Sequence, residues 1–223
     1  MKLRVLGSGS SGNTYLLESD TECLILDAGI SFMEVKKALN FDIRKIVGVI
    51  VTHCHKDHSK YISEYEKAGI QVFKPYDGME TMAMPNSQFM IQAFDLVHDV
   101  PCFGFFIRHP DIGNLVYATD TEYIKYRFKD LNHILVEANY SKNIIEQSAV
   151  NRDHVLTGHM ELQTTLEFIS TNDNPALKNV VLIHLSEKNA DSSVFREKTQ
   201  KITSADVYVA EKGLTVNLDS IPF

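Results

Sequence analysis

His53-Cys54-His55-Lys56-Asp57-His58 follows directly on the run Ile46-Val47-Gly48-Val49-Ile50-Val51. The β-branched run predicts a strand, so three imidazoles and a carboxylate crowd the mouth of that strand. Imidazole and carboxylate are the ligands of zinc and other borderline divalent metals. One ion rarely takes four ligands from one tight loop, and two ions sharing the loop is the more natural reading. Cys54 alternates with His53 and His55, so its side chain is expected to point away from them, as a small packed thiol.

Working outward, four more ionisable residues stand at predicted strand ends. Asp27 follows Leu24-Ile25-Leu26, His98 follows Phe94-Asp95-Leu96-Val97, Asp120 follows Leu115-Val116-Tyr117-Ala118-Thr119, and His184 follows Val180-Val181-Leu182-Ile183. If these strands share an edge with Ile46–Val51, their side chains converge with His53, because ligands of open α/β sheets bind at the carboxyl ends of strands. Each residue alone has another explanation, since strand ends are turns and turns favour polar side chains. A metal-rich loop that needs further ligands makes them the positioned candidates. His109, His133 and His154 have no such setting and read as surface or packing histidines.

Short strands are expected at Leu3–Leu6, Thr14–Leu17, Cys23–Leu26, Ile46–Val51, Ile70–Phe73, Phe89–Val97, Cys102–Arg108, Leu115–Ala118, Ile134–Glu137, Val180–Ile183, Val207–Ala210 and Leu214–Leu218. Helical spacing marks Phe32–Leu39, Lys60–Ala68, Met79–Met84, Lys142–Val150, Leu162–Ile169 and Ser193–Ile202. Helices interspersed from the start among hairpin strands imply α/β layering, two sheets covered by outer helices, and no regular βαβ repeat. With 223 residues and no visible linker, residues 1–223 are expected to form one domain. The net charge of -7, with no Lys/Arg cluster standing out, weakens an extended polyanionic substrate. Three scattered cysteines without C-x-x-C spacing indicate neither a disulfide framework nor a zinc knuckle. With no signal-like or membrane-length apolar run, a cytoplasmic location is the expectation.

At this point the chain resembles the metallo-β-lactamase-fold hydrolases. Their H-x-H-x-D-H pattern matches His53, His55, Asp57 and His58, and their later ligand positions match His98, Asp120 and His184 in order. The resemblance implies a four-layer αββα sandwich of two mixed sheets. It implies one metal on His53, His55 and His98, a second on Asp57, His58 and His184, and Asp120 bridging them. Asp27 would support a ligand histidine from behind. The opening Leu6-Gly-Ser-Gly-Ser-Ser-Gly-Asn13 and the ending His184-Leu-Ser-Glu-Lys-Asn189 are similar to the YycJ/WalJ-type group and related phosphodiesterases. The Gly7–Asn13 turn would either present amides to a phosphate or close tightly with no ligand. Thr157-Gly158-His159-Met160 resembles the segment that supplies a non-ligand catalytic histidine in RNase Z-like and PhnP-like enzymes.

The resemblance therefore implies a dinuclear phosphodiesterase, with two divalent ions, zinc or alternatively manganese, and His159 and Asp57 as its catalytic candidates. A nucleotide substrate follows, with a cyclic mononucleotide first, as in phage enzymes that defeat Pycsar defence, and a single-strand nuclease of the YycJ/WalJ type as the alternative. Ester or lactone hydrolysis on the same core ranks lower, because a metal centre opens a carbonyl ester without an acid such as His159. Relatives of this kind often dimerise, so a homodimer is expected. His55, where flavodiiron proteins carry Glu, argues against that redox branch.

Overall fold

The computed structural model describes residues 1–79, 84, 87–145 and 158–219. Among the described residues, twelve short strands form two six-stranded sheets. The first contains β1 (Lys2–Gly7), β2 (Thr14–Glu18), β3 (Cys23–Leu26), β4 (Ile46–Ile50), β5 (Val72–Phe73) and β12 (Thr215–Asn217), in the order β12-β1-β2-β3-β4-β5. Its strands are antiparallel up to β3 and parallel from β3 to β5. The second contains β6 (Met90–Leu96), β7 (Cys102–His109), β8 (Gly113–Ala118), β9 (His133–Glu137), β10 (Asn179–Ile183) and β11 (Asp206–Val209), in the order β11-β10-β9-β8-β7-β6. Here β6 to β8 are antiparallel and β8 to β11 parallel. Both sheets are mixed.

Alternation along the strands builds the layers. Leu24 and Leu26 face the seam between the sheets with Phe105, Tyr117, Leu135, Val181 and Ile183. Their neighbours Cys23 and Ile25 face outward, against Phe32 and Val35 of α1 (Phe32–Ala38) and Tyr65 of α3 (Ile62–Lys67). On the other side Val180 and Leu182 turn outward onto Leu162, Phe168 and Ile169 of α5 (Leu162–Asn172) and Phe195 of α6 (Ser192–Gln200). Both faces of each sheet are thus covered, which is why strands such as β3, β9 and β10 are buried along their whole length. The architecture is the four-layer αββα sandwich expected from the sequence.

All twelve expected strands are present, with shifted ends. The helix expected over Lys60–Ala68 is α3, with shortened ends, and a turn of helix that was not expected, α2 (Lys56–Ser59), precedes it over the end of the histidine motif. The break lies at Tyr61, whose N–H leaves the helical ladder and donates to the Ala28 carbonyl at 2.9 Å. The strand expected from Ile70 shrinks to Val72–Phe73. Residues 80–83 of the Met79–Met84 helix, residues 146–150 of the Lys142–Val150 helix, His154 and Thr157 lie outside the described residues. The described part of the last of these helices is α4 (Lys142–Ile145). His109 and His133 are not at the surface. Both are buried, His109 against Glu22 at 2.9 Å and His133 beside the Asn179 amide at 3.0 Å. Among the described residues no helix is long and apolar enough to cross a membrane.

Candidate metal centre

Strand ends from both sheets meet at one rim of the seam. β3 and β4 deliver Asp27 and His53, and the loop into α2 carries His55, Asp57 and His58. From the second sheet come His98 after β6, Asp120 after β8, Glu137 at the end of β9 and His184 after β10. Three of these residues, Asp27, Asp120 and His184, leave their strands in the left-handed region, with φ of 59°, 51° and 54°. That conformation costs a non-glycine residue about 1–2 kcal/mol and persists only where the surroundings impose it.

Among the described residues the side chains gather into three overlapping sets, the two expected from the sequence, which share Asp120, and a third of Asp120, Glu137, His159 and His184. His53, His55, His98 and Asp120 each offer an atom within 4.8 Å of the others, and so do Asp57, His58, Asp120 and His184. In the first set His55 Nδ1 lies 3.3 Å from His98 Nε2, and Asp120 Oδ2 lies 3.6 Å from His53 Nε2 and 4.0 Å from His98 Nε2. In the second, Asp57 Oδ2 is 3.3 Å from both His58 Nε2 and His184 Nε2, and Asp120 Oδ1 is 3.4 Å from His58 Nε2. Donors about 2.0–2.1 Å from a tetrahedral ion stand about 3.3–3.4 Å apart, so the spacings suit two such ions with one Asp120 oxygen turned to each.

The hydrogen bonds behind these rings aim their lone pairs into the site. Asp27 is fully buried and accepts from the Thr52 N–H at 2.8 Å, from the Thr52 hydroxyl and from the Tyr117 hydroxyl. It also accepts the His58 Nδ1–H at 2.7 Å, which fixes the ring and leaves Nε2 inward. Thr52 Oγ1 lies 3.0 Å from His53 Nδ1. Because the hydroxyl proton is committed to Asp27, the ring donates here, and His53 Nε2 keeps a lone pair. That atom is buried with no hydrogen-bond partner among the described residues. An unsatisfied buried acceptor is costly unless something occupies its lone pair. His98 Nδ1–H donates to the Gly158 carbonyl at 2.8 Å, again leaving Nε2 toward the site. The residues therefore fit a pair of divalent cations.

The electrostatics point the same way. Four buried or half-buried carboxylates, Asp27, Asp57, Asp120 and Glu137, surround the histidines. Burial pushes His53 down to about 2 and keeps it neutral. Burial also works against a charge on His184, but Asp120, Asp57 and Glu137 outweigh it and push that ring up to about 10. His58 is raised by Asp120 and Asp27 against the same burial. With no cation bound, protons on His58 and His184 balance the carboxylates, and a divalent ion would take their place.

His159 stands at the rim, its ring stacked 5.4 Å from His184 at 13° and 5.7 Å from His98. Its Nδ1–H donates to Glu137 Oε1 at 2.7 Å. Glu137 was not singled out from the sequence, although it ends its strand as Asp27 and Asp120 do. It is fully buried, and its Oε2 accepts from the backbone N–H groups of Thr121 at 3.0 Å and Met160 at 3.1 Å. Burial would lower the His159 pKa, yet Glu137 raises it overall. Asn13 and Asp99 were also missed. The Asn13 amide lies 2.9 Å from His58 Nε2, and the Asp99 carboxylate 3.1 Å from His98 Nε2.

The Gly7–Asn13 loop is a buttress. Its Gly9, Gly12 and Asn13 amides are committed to Asn13 Oδ1, the Gly9 carbonyl and the Asp57 carbonyl, and Ser8 Oγ accepts the His184 N–H at 2.9 Å. That supports the tight turn and not the phosphate cradle. Cys54 points away from the rings as expected, but into solvent and not into packing.

Residues 7–65 match the model of the metallo-beta-lactamase superfamily. The exodeoxyribonuclease WalJ of Streptococcus pneumoniae is 25% identical over 224 aligned residues, covering 84% of this chain and 82% of WalJ. The anti-Pycsar protein Apyc1 of Paenibacillus harenae is 31% identical over 71 residues, covering 29% of this chain and 30% of Apyc1. Among solved structures, the metallo-beta-lactamase fold protein YhfI from Bacillus subtilis superposes with a TM-score of 0.72 at 18% identity, covering 96% of this chain and 98% of YhfI, and shows the fold alone. With the two-sheet sandwich and the His/Asp cluster at its rim, the chain shares the fold of YhfI, and over residues 7–65 it is similar to the metallo-beta-lactamase superfamily.

Proposed function

We propose that the chain is a dinuclear-metal-dependent phosphodiesterase that hydrolyses nucleotide phosphodiester bonds in single-stranded DNA. His53, His55 and His98 would hold one divalent cation, zinc or manganese, and Asp57, His58 and His184 the other, with Asp120 between them. Such ions supply charge to the phosphoryl oxygens and make water acidic enough to serve as a nucleophile near neutral pH.

The observation that carries phosphodiester chemistry is the His159–Glu137 pair beside the cluster. Glu137 holds the imidazole in one orientation and favours its cationic form. A cationic ring there donates a proton to the departing alkoxide or stabilises charge on the crowded phosphorus centre. Asp27 and Thr52 hold the Nδ1–H of His58 and His53 and so turn each Nε2 toward the site, where a cation would displace the His58 proton. The likeness to an exodeoxyribonuclease over most of the chain supports a polymeric substrate. A second reading, a cyclic mononucleotide, draws on the 31% match to Apyc1 and on the acidic composition.

Metal-loaded protein offered single-stranded DNA, cyclic mononucleotides, bis(p-nitrophenyl) phosphate and a lactone separates these readings. Cleavage of the DNA and the generic diester is expected. Cleavage of the cyclic mononucleotide without DNA would select the second reading, and cleavage of the lactone alone would overturn both.

A further inference from the structure

A groove of about 380 Å³ lies on the outer face of the second sheet, apart from the metal cluster. Its floor is the β6–β7 hairpin, where register sets Phe94 opposite Gly104, Gln92 opposite Phe106 and Met90 opposite Arg108. A Cβ on Gly104 would lie 2.4 Å from the Phe94 ring, so glycine is what lets that ring lie across β7. The wall is Tyr126-Arg127-Phe128-Lys129, the far end of the segment Tyr123-Ile124-Lys125-Tyr126-Arg127-Phe128-Lys129 that leaves Asp120. That segment alternates. Ile124, Tyr126 and Phe128 turn half-buried toward the sheet, and Lys125, Arg127 and Lys129 are exposed. Phe128 stacks on Phe106 at 5.8 Å and 7°, Tyr126 meets Phe94 edge-on at 5.4 Å, and the Arg108 guanidinium lies 6.0 Å over Phe106.

The charge of this groove opposes that of the chain. Arg108, Arg127 and Lys129 line it against the single carboxylate of Asp130, in a protein of net charge -7. Among the described residues Arg127 and Lys129 have no ion-pair partner. Half-exposed aromatic rings bordered by unpaired cations suit a ligand with both π faces and phosphates, which is a single strand of nucleic acid. A duplex hides its base faces and cannot use the rings.

The segment that forms the wall starts at the site. The Glu122 N–H donates to the Val97 carbonyl and its carboxylate accepts from the Gly158 N–H at 3.1 Å, which ties the start of that segment to the loops carrying His98 and His159. Phe94 precedes His98 by four residues, about 13 Å of strand, a span of a few nucleotides. We propose that this groove holds the single strand a few nucleotides away from the bond being cleaved and so favours polymer over mononucleotide. The proposal rests on the nuclease reading above.

The test is steady-state cleavage of a single-stranded oligodeoxynucleotide of about 20 residues by the metal-loaded full chain and its Arg108→Glu/Arg127→Glu/Lys129→Glu variant. All three side chains are exposed, and Arg127→Glu alone serves if the triple variant unfolds. The expected result is a KM raised tenfold or more. The slope of log KM against log salt should also be shallower by about 2, at roughly 0.7 for each single-strand phosphate that is no longer neutralised. Turnover of bis(p-nitrophenyl) phosphate and the melting temperature should stay as in the wild type. Wild-type protein that cleaves the oligonucleotide, with an unchanged KM in the folded variant, overturns the groove alone. Wild-type protein that turns over the small diester but not the oligonucleotide overturns the nuclease reading and the groove with it.

Discussion

Glu137 is the residue that gives His159 its character. Its carboxylate is pinned by two backbone N–H groups, so the oxygen facing His159 cannot drift. The sign of its effect on pH dependence follows. Burial lowers the His159 pKa and Glu137 raises it by more, so the ring stays cationic to higher pH than an ordinary imidazole. A proton donor works in its cationic form, and turnover falls as pH rises through that pKa. At matched metal content, since Glu137 Oε1 also lies 3.2 Å from His184 Nδ1, Glu137→Gln should therefore move the alkaline limb of the kcat–pH profile to lower pH. A profile that keeps its alkaline limb would remove Glu137 as the residue that positions His159. The ligand candidates were legible in the sequence because each follows an apolar run. Glu137 was hidden because it is the last residue of the run itself, and only the pairing of β9 with β8 and β10 shows that it ends where they end.

At the scale of elements, the loop before α5 has to pass very close to His98. Gly158 has φ +93° and its carbonyl accepts the His98 Nδ1–H, while a Cβ there would lie 2.7 Å from that same nitrogen. Gly158→Ala meets both obstacles, the left-handed backbone and the His98 ring. It should cost about 1–2 kcal/mol of stability in urea unfolding from the backbone alone. It should also lower metal occupancy by displacing His98, and unchanged values of both would show that the loop yields freely. Strands were readable throughout because β-branched runs between turns carry their own signal. The split between α2 and α3 was not, since it depends on the Tyr61 N–H finding Ala28, a partner over thirty positions earlier.

At the scale of the molecule, the cluster joins the two sheets. His53 belongs to one, His98, Asp120 and His184 to the other, so a bound ion ties the layers together. Divalent metal should raise the melting temperature, and more so at higher pH. The metal-free site holds protons on His58 and His184, the latter with a pKa pushed up to about 10, and a cation must displace them. Affinity should rise about tenfold per pH unit for each proton displaced. A metal-induced shift in melting temperature that is the same at pH 6 and pH 8 would contradict this proton balance. Net charge is blind to local clustering at this scale. It weighs against an extended polyanion, whereas Arg108 is brought beside Arg127 and Lys129 only by the packing of β7 against the segment after β8.

In the proposed mechanism His159 acts in phosphodiester cleavage from outside the metal ligands. The most direct measurement is kcat for His159→Ala against wild type on single-stranded DNA and bis(p-nitrophenyl) phosphate, at matched metal content. The predicted result is full metal binding with turnover reduced about 10²–10⁴-fold. Turnover equal to that of the wild type would contradict it.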